Sequence, residues 1–236
     1  MNHTSERTQA RACFVLIPGA GGMASYWHRI VPILSAAGHE AIAVDLPGDD
    51  PSAGLDDYAD IAVRSIAARP NVILVAQSLG GFTAPLVLAR ASVRRLIFVN
   101  AMIPLPGETA GAWWENTHAV AARIAAARSG GYDTRFDVPT YFLHDVPEPV
   151  LRDGPAPREQ SDTLFGEPCR FAGWPEMPIR VISAADDRFF PPDFQARVAR
   201  ERLKINVESV PGGHLVALSN PQGLVDRLLQ QPVAVQ

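Results

Sequence analysis

Short apolar runs alternate with longer amphipathic stretches through most of the chain. The run at 72–76 (Val-Ile-Leu-Val-Ala) is unbroken and rich in β-branched residues, the pattern of a strand covered on both faces. Strands are also expected at 13–17, 41–44, 95–100, 179–183 and 205–209, about six in all. Between them the apolar residues recur at three- and four-residue spacing. Tyr26, Ile30, Ile33 and Leu34 predict a helix over 24–37 that Gly38 stops and that Pro32 kinks. Further helices are expected at 58–68, ended by Pro70, from Leu79 onward, at 193–202 and at 224–230. Helices of that length between strands suit parallel crossovers, so the expected class is α/β with a mainly parallel sheet flanked by helices.

The alternation stops after the fourth strand. Residues 105–177 carry many of the prolines, three of the four tryptophans and an expected long helix over 109–129 that Gly130 and Gly131 end. An insertion of that size has to fold over something. The expectation is a helical lid above the C-terminal edge of the sheet, where open α/β sheets bind ligands. The core then comprises about 12–104 and 178–231, within one domain spanning 1–236.

Composition narrows the class. The chain has 236 residues, 47% hydrophobic and 19% charged, with a net charge of −4. That suits a domain with a large core and offers no basic surface for nucleic acid or anionic lipid. No apolar stretch is long enough to span a membrane, and residues 1–7 lack a signal-peptide core, so a cytoplasmic location is expected. Residues 1–11 read as a frayed arm. Cys13 and Cys169 do not form a disulfide framework, and there is no metal-ligand cluster or phosphate loop, so neither metal nor cofactor is expected. The oligomeric state stays open, a homodimer included.

The chemistry concentrates where the 72–76 run meets the next helix. Ser78 sits on that sharp turn with Gly80 and Gly81 behind it, and the Leu79 N–H opens the helix. This arrangement resembles the nucleophile elbow of the α/β-hydrolase superfamily, G-x-S-x-G, with Ala76 at the first glycine. A serine hydroxyl needs a base, and the base an orienting carboxylate. The superfamily places them in the chain order Ser, Asp, His, each after a strand. Asp186 and Asp187 follow the strand at 179–183; the superfamily often has a proline four positions after this aspartate, so the resemblance, through Pro191, favours Asp187. His214 follows Gly212 and Gly213 in a loop suited to a mobile imidazole, a placement the other histidines lack. The expected oxyanion donors are the backbone N–H groups of Leu79 and Ala20, the latter in the loop Gly19-Ala20-Gly21 after the first strand.

The likeness extends beyond these residues. Phe14 to Ala20, Tyr26-Trp27-His28, Ala37-Gly38-His39-Glu40, Val44 to Gly48, Gln77 to Gly81 and Gly213-His214-Leu215 resemble the small branch that holds plant methyl esterases and hydroxynitrile lyases. It covers about 13–104 and 178–230 but not the insertion. In that branch the lyases carry a threonine in the oxyanion loop and a lysine after the catalytic histidine; Gly19 and Leu215 stand there in this chain. The resemblance therefore implies hydrolysis of a small-molecule ester by a serine carboxylesterase with an acyl-enzyme. The alternatives are a C–C bond, thioester or lactone hydrolase with the same triad, or a small-molecule receptor on the hydrolase scaffold. Gly19, Trp113, Trp114, Phe142 and His144 are candidate substrate contacts, and Phe165 a further pocket residue; each aromatic is equally explained as plain core of the insertion.

Overall fold

A computed structural model describes residues 11–230. The expected arm lies almost wholly outside the described residues. Six parallel strands form one sheet in the order β2-β1-β3-β4-β5-β6: β1 (Cys13–Ile17), β2 (Glu40–Ala43), β3 (Val72–Gln77), β4 (Arg95–Val99), β5 (Ile179–Ala184) and β6 (Val207–Val210). Alternate residues of the central strands feed two cores. Val15, Ile17, Leu74, Ala76 and Phe98 pack on one face, while Phe14, Leu16, Ile73, Val75 and Ile97 pack on the other. Both faces being covered explains why these runs are continuously apolar rather than alternating.

Helix α1 (Ile30–Ala36) adds Ile30 and Leu34 to one core; α2 (Leu55–Ile66) and α3 (Ala84–Leu88) supply Tyr58, Ala62 and Leu86 to the other. The expected helix over 24–37 is in fact a short 3-10 turn, Ala24–Trp27, followed by α1. Pro32 falls in the first turn of α1, where its missing N–H costs no helical bond. Helix α2 starts three residues earlier than expected because Asp57 and Glu167 accept from the Gly54 and Leu55 amides. The helix expected from Leu79 onward begins as a 3-10 turn, Ser78–Phe82, before α3.

Between β4 and β5 run α4 (Ala110–Asn116), α5 (Ala119–Gly130), a π turn at Pro139–Leu143, α6 (Glu148–Asp153) and α7 (Thr163–Gly166). The single helix expected over 109–129 is thus two. Thr117 Oγ donates to Trp113 O at 2.6 Å, and His118 turns left-handed at φ 55°. Asn116, Thr117 and His118 are weak helix formers, so this is where the chain breaks. Helix α8 (Pro192–Leu203) follows β5; α9 (Val216–Ser219) and α10 (Pro221–Leu229) follow β6. Glu108, ahead of α4, pairs with Arg202 of α8, both nearly inaccessible, and so fastens the base of the insertion to the core.

Candidate active site

Three loops at the C-terminal ends of β3, β5 and β6 meet. Ser78 leaves β3 at φ 49°, a left-handed conformation that costs a non-glycine residue about 1–3 kcal/mol. A Cβ on Gly81 would collide with the Met102 carbonyl, and one on Gly80 with the Pro18 carbonyl, so only glycine lets the turn close this tightly. Ala76 stands where the superfamily's motif begins with glycine, and its methyl is absorbed by the core. The turn brings Ser78 Oγ to 3.1 Å from His214 Nε2.

Main-chain bonds align the other two loops. Ala185 N donates to Val210 O at 2.8 Å and Asp186 N to Gly212 O at 2.9 Å. This sets Asp187 Oδ2 2.9 Å from His214 Nδ1. Asp187, a pure acceptor when ionised, fixes the proton on Nδ1 and leaves Nε2 free to accept from the serine hydroxyl. Its other oxygen accepts from the Phe189 and Phe190 amides at 2.8 and 2.9 Å. Asp186 is exposed, and among the described residues its side chain accepts from Gly212 N, at 3.2 Å. The structure therefore brings Asp187, and not its neighbour, against the imidazole.

Three aromatic rings pack around the imidazole. Phe142 lies nearly parallel to it with centroids 5.0 Å apart, and Phe189 and Phe190 meet it edge-on at 5.0 and 5.2 Å. From below, Asn100 Nδ2 donates to His214 O at 3.0 Å and Gly213 O at 3.2 Å, while its Oδ1 accepts from Ala184 N at 2.7 Å. Gln195 Nε2 donates to Asp187 Oδ2 at 3.2 Å and to Phe190 O at 2.7 Å. Asp145, from the insertion, accepts from Gly213 N at 2.5 Å. The sequence reading missed Asn100, Gln195 and Asp145. Only Asn100 carried a signal: a polar residue ending an otherwise apolar strand on the reactive edge.

A cavity of about 500 Å³ opens above Ser78. Gly19, Ala20, Ser78, Phe142 and His214 line it, with Val138, Leu143, Val150, Leu151, Leu215 and Leu218 making most of the wall apolar. Four expected contacts are absent from the lining. Trp113 is wholly buried, donates Nε1 to Ile103 O at 3.2 Å and packs on Phe190 and Phe194. Trp114 packs on Phe189 and Phe190, and Phe165 joins the core under α4. His144 instead faces a separate groove of about 1010 Å³ behind Asp187, which does not reach Ser78. Conversely Tyr26 and His28, which the sequence reading left out, stand at the cavity. Burial pushes the Cys169 thiol up to about 12, and Cys13 is raised the same way, so neither offers a thiolate. Among the described residues no group of histidine, cysteine and carboxylate side chains has metal-site geometry, and no helix is long and apolar enough to cross a membrane.

Known proteins resemble this chain in sequence and in fold. The sequence is 32% identical over 110 residues to a rice (Oryza sativa) protein described as a probable esterase, a stretch covering 42% of each chain. It is 33% identical over 103 residues to an alpha-hydroxynitrile lyase of Arabidopsis thaliana, covering 39% of this chain and 40% of that one. The chain thus spans about two fifths of the length of these curated relatives. In three dimensions, a pyrethroid hydrolase from Sphingobium faniae JZ-2 superposes with a TM-score of 0.73 at 23% identity, over 92% of this chain and 95% of that one. At that identity the likeness establishes the fold. The sequence model of the alpha/beta hydrolase family matches residues 14–227, the sheet, the insertion and all three meeting loops included, and the chain belongs to that family.

Proposed function

We propose that the protein is a serine carboxylesterase acting on a neutral, lipophilic small-molecule ester. The observation that carries this is the unbroken relay from Ser78 Oγ through His214 to Asp187, at 3.1 and 2.9 Å, opening onto a largely apolar cavity. In this reading Ser78 Oγ attacks the ester carbonyl while His214 Nε2 takes its proton, and Asp187 steadies the resulting imidazolium. The N–H groups of Ala20 and Leu79 hold the charge on the tetrahedral oxygen; each such donor is worth about 3–4 kcal/mol of barrier. His214 returns the proton to the leaving alcohol, and water then hydrolyses the acyl-enzyme through the same groups reversed.

The lining supports a neutral substrate. Arg158, the cation there besides any charge on His28, is already committed: Nη1 donates to Leu46 O at 2.6 Å and Nη2 to Asp45 at 3.1 Å. Hydrolysis fits better than the lyase reaction of the relative named above. A side chain at Gly19 would meet Gln77 and come within 2.8 Å of Ser78 Cβ, and Leu215 puts an apolar group on the cavity wall. An activated aryl ester such as p-nitrophenyl acetate is expected to be cleaved, with kcat falling by roughly 10⁴-fold or more in Ser78→Ala. Equal rates in the two proteins would defeat the proposal.

A further inference from the structure

After α6 the chain returns to the sheet edge and inserts residues 158–161 against two loops. Gln160 lies between them. Its Oε1 accepts from Gly21 N at 3.0 Å, while Nε2 donates to Gly48 O at 3.1 Å and to Tyr58 Oη at 3.3 Å. Ser161 N donates to Gly48 O at 2.7 Å, and Arg158 N to Met23 Sδ at 3.2 Å. The contact leaves no spare room: a Cβ on Gly21 would stand 2.5 Å from Arg158 O.

The loop thus gripped is a four-residue turn. Gly22 N donates to Gly19 O at 3.1 Å, and Gly21 has φ 80°. A positive φ at the third position is the mark of a type II turn, which differs from type I by the flip of its central peptide. That peptide joins Ala20 to Gly21, and its N–H is the one that Gln160 receives. Ala20 lines the cavity and belongs both to this peptide and to the preceding one, whose N–H the hydrolase reading assigns to the oxyanion, so a tilt of one carries the other.

We propose that Gln160 is a positioning residue for oxyanion stabilisation. It holds the turn at 19–22 so that the Ala20 N–H is aimed at the space above Ser78, and it makes that aim depend on the seating of the 158–161 segment. The site is then complete only while this segment, part of the cavity wall, is down. The inference rests on the serine-hydrolase reading above.

The test compares the wild type with Gln160→Met, which keeps the length and removes the side-chain hydrogen bonds to Gly21, Gly48 and Tyr58, and with Tyr58→Phe, which removes one partner of Gln160. Turnover of p-nitrophenyl acetate is measured alongside inhibition by an aryl trifluoromethyl ketone. With the ketone, Ser78 Oγ bonds the carbonyl carbon, the hydroxyl proton passes to His214, and the carbonyl π pair becomes the oxyanion. Gln160→Met is expected to lose about 10- to 100-fold in kcat with KM within about threefold, since misaimed donors cost the transition state and not the ground state. Ketone affinity is expected to fall by a similar factor with the melting temperature nearly unchanged, and Tyr58→Phe to shift both readouts less, in the same direction. The proposal is overturned if Gln160→Met keeps kcat and ketone affinity within about twofold of wild type, or loses activity only in step with its folded fraction. A wild-type protein that neither cleaves the ester nor needs Ser78 to bind the ketone would instead bring down the hydrolase reading, and this proposal with it.

Discussion

Asn100 would do no chemistry, yet it ties together the segments that deliver Asp187 and His214. It directly follows β4 at φ 46° and is completely buried. One amide group bonds the carbonyls of Gly213 and His214, and the oxygen beside it receives the Ala184 N–H of β5. The side chain thereby sets the spacing between the strand that delivers Asp187 and the loop that delivers His214. Asn100→Asp keeps the acceptor but turns a carboxylate oxygen toward two carbonyls. Leaving those carbonyls without a donor, beside a second buried carboxylate, is expected to cost about 1–3 kcal/mol in urea unfolding. The same substitution should lower kcat for an aryl ester, because the imidazole loses its support from below. Unchanged stability together with unchanged kcat would show that the loop is held by Asp145 and the surrounding rings alone.

Among the elements, the join between α4 and α8 controls whether the insertion stays seated. Glu108 and Arg202 meet with their side chains 4% and 6% exposed, and Asn116 Nδ2 adds a bond at 2.8 Å. Burial acts to raise the Glu108 carboxyl, but hydrogen bonds from Arg202, Asn116 and the Leu105 amide outweigh it and hold the group below its ordinary range. The folded state therefore binds that proton less readily than the unfolded chain. The pair's stabilisation is fully present above the unfolded glutamate value near about 4.3, and is lost as the pH falls through the depressed folded value. Glu108→Ala leaves Arg202 buried without its carboxylate and is expected to cost about 3 kcal/mol at neutral pH. It should also flatten the acid limb of the stability curve, measured by urea unfolding at a series of pH values. An unaltered acid limb would assign the acid sensitivity to other carboxylates.

At the scale of the molecule, what could be read from the sequence follows what each signal depends on. The four central strands were legible because burial on both faces forces nearly continuous apolar runs, and the serine turn because Ser78, Gly80 and Gly81 leave few other geometries. The proline after the aspartate pair distinguished Asp187 from Asp186. The insertion resisted because its helices are short and their ends depend on single residues such as Thr117 and His118. Its aromatic residues divided in a way that spacing does not encode: Phe142 covers the imidazole while Trp113 fills the core. Gln160 was hidden, and the role of Asn100 legible only as a polar strand end, because their meaning lies in partners more than eighty residues away. The central claim is that Ser78 is a nucleophile activated where three loops of one sheet edge converge. Mass spectrometry after treatment with a fluorophosphonate tests it most directly. The account predicts one adduct per chain, on the peptide holding Ser78, with ester hydrolysis lost in proportion to labelling and no adduct in Ser78→Ala. A protein that stays fully active with Ser78 labelled, or that carries the label elsewhere, would contradict it.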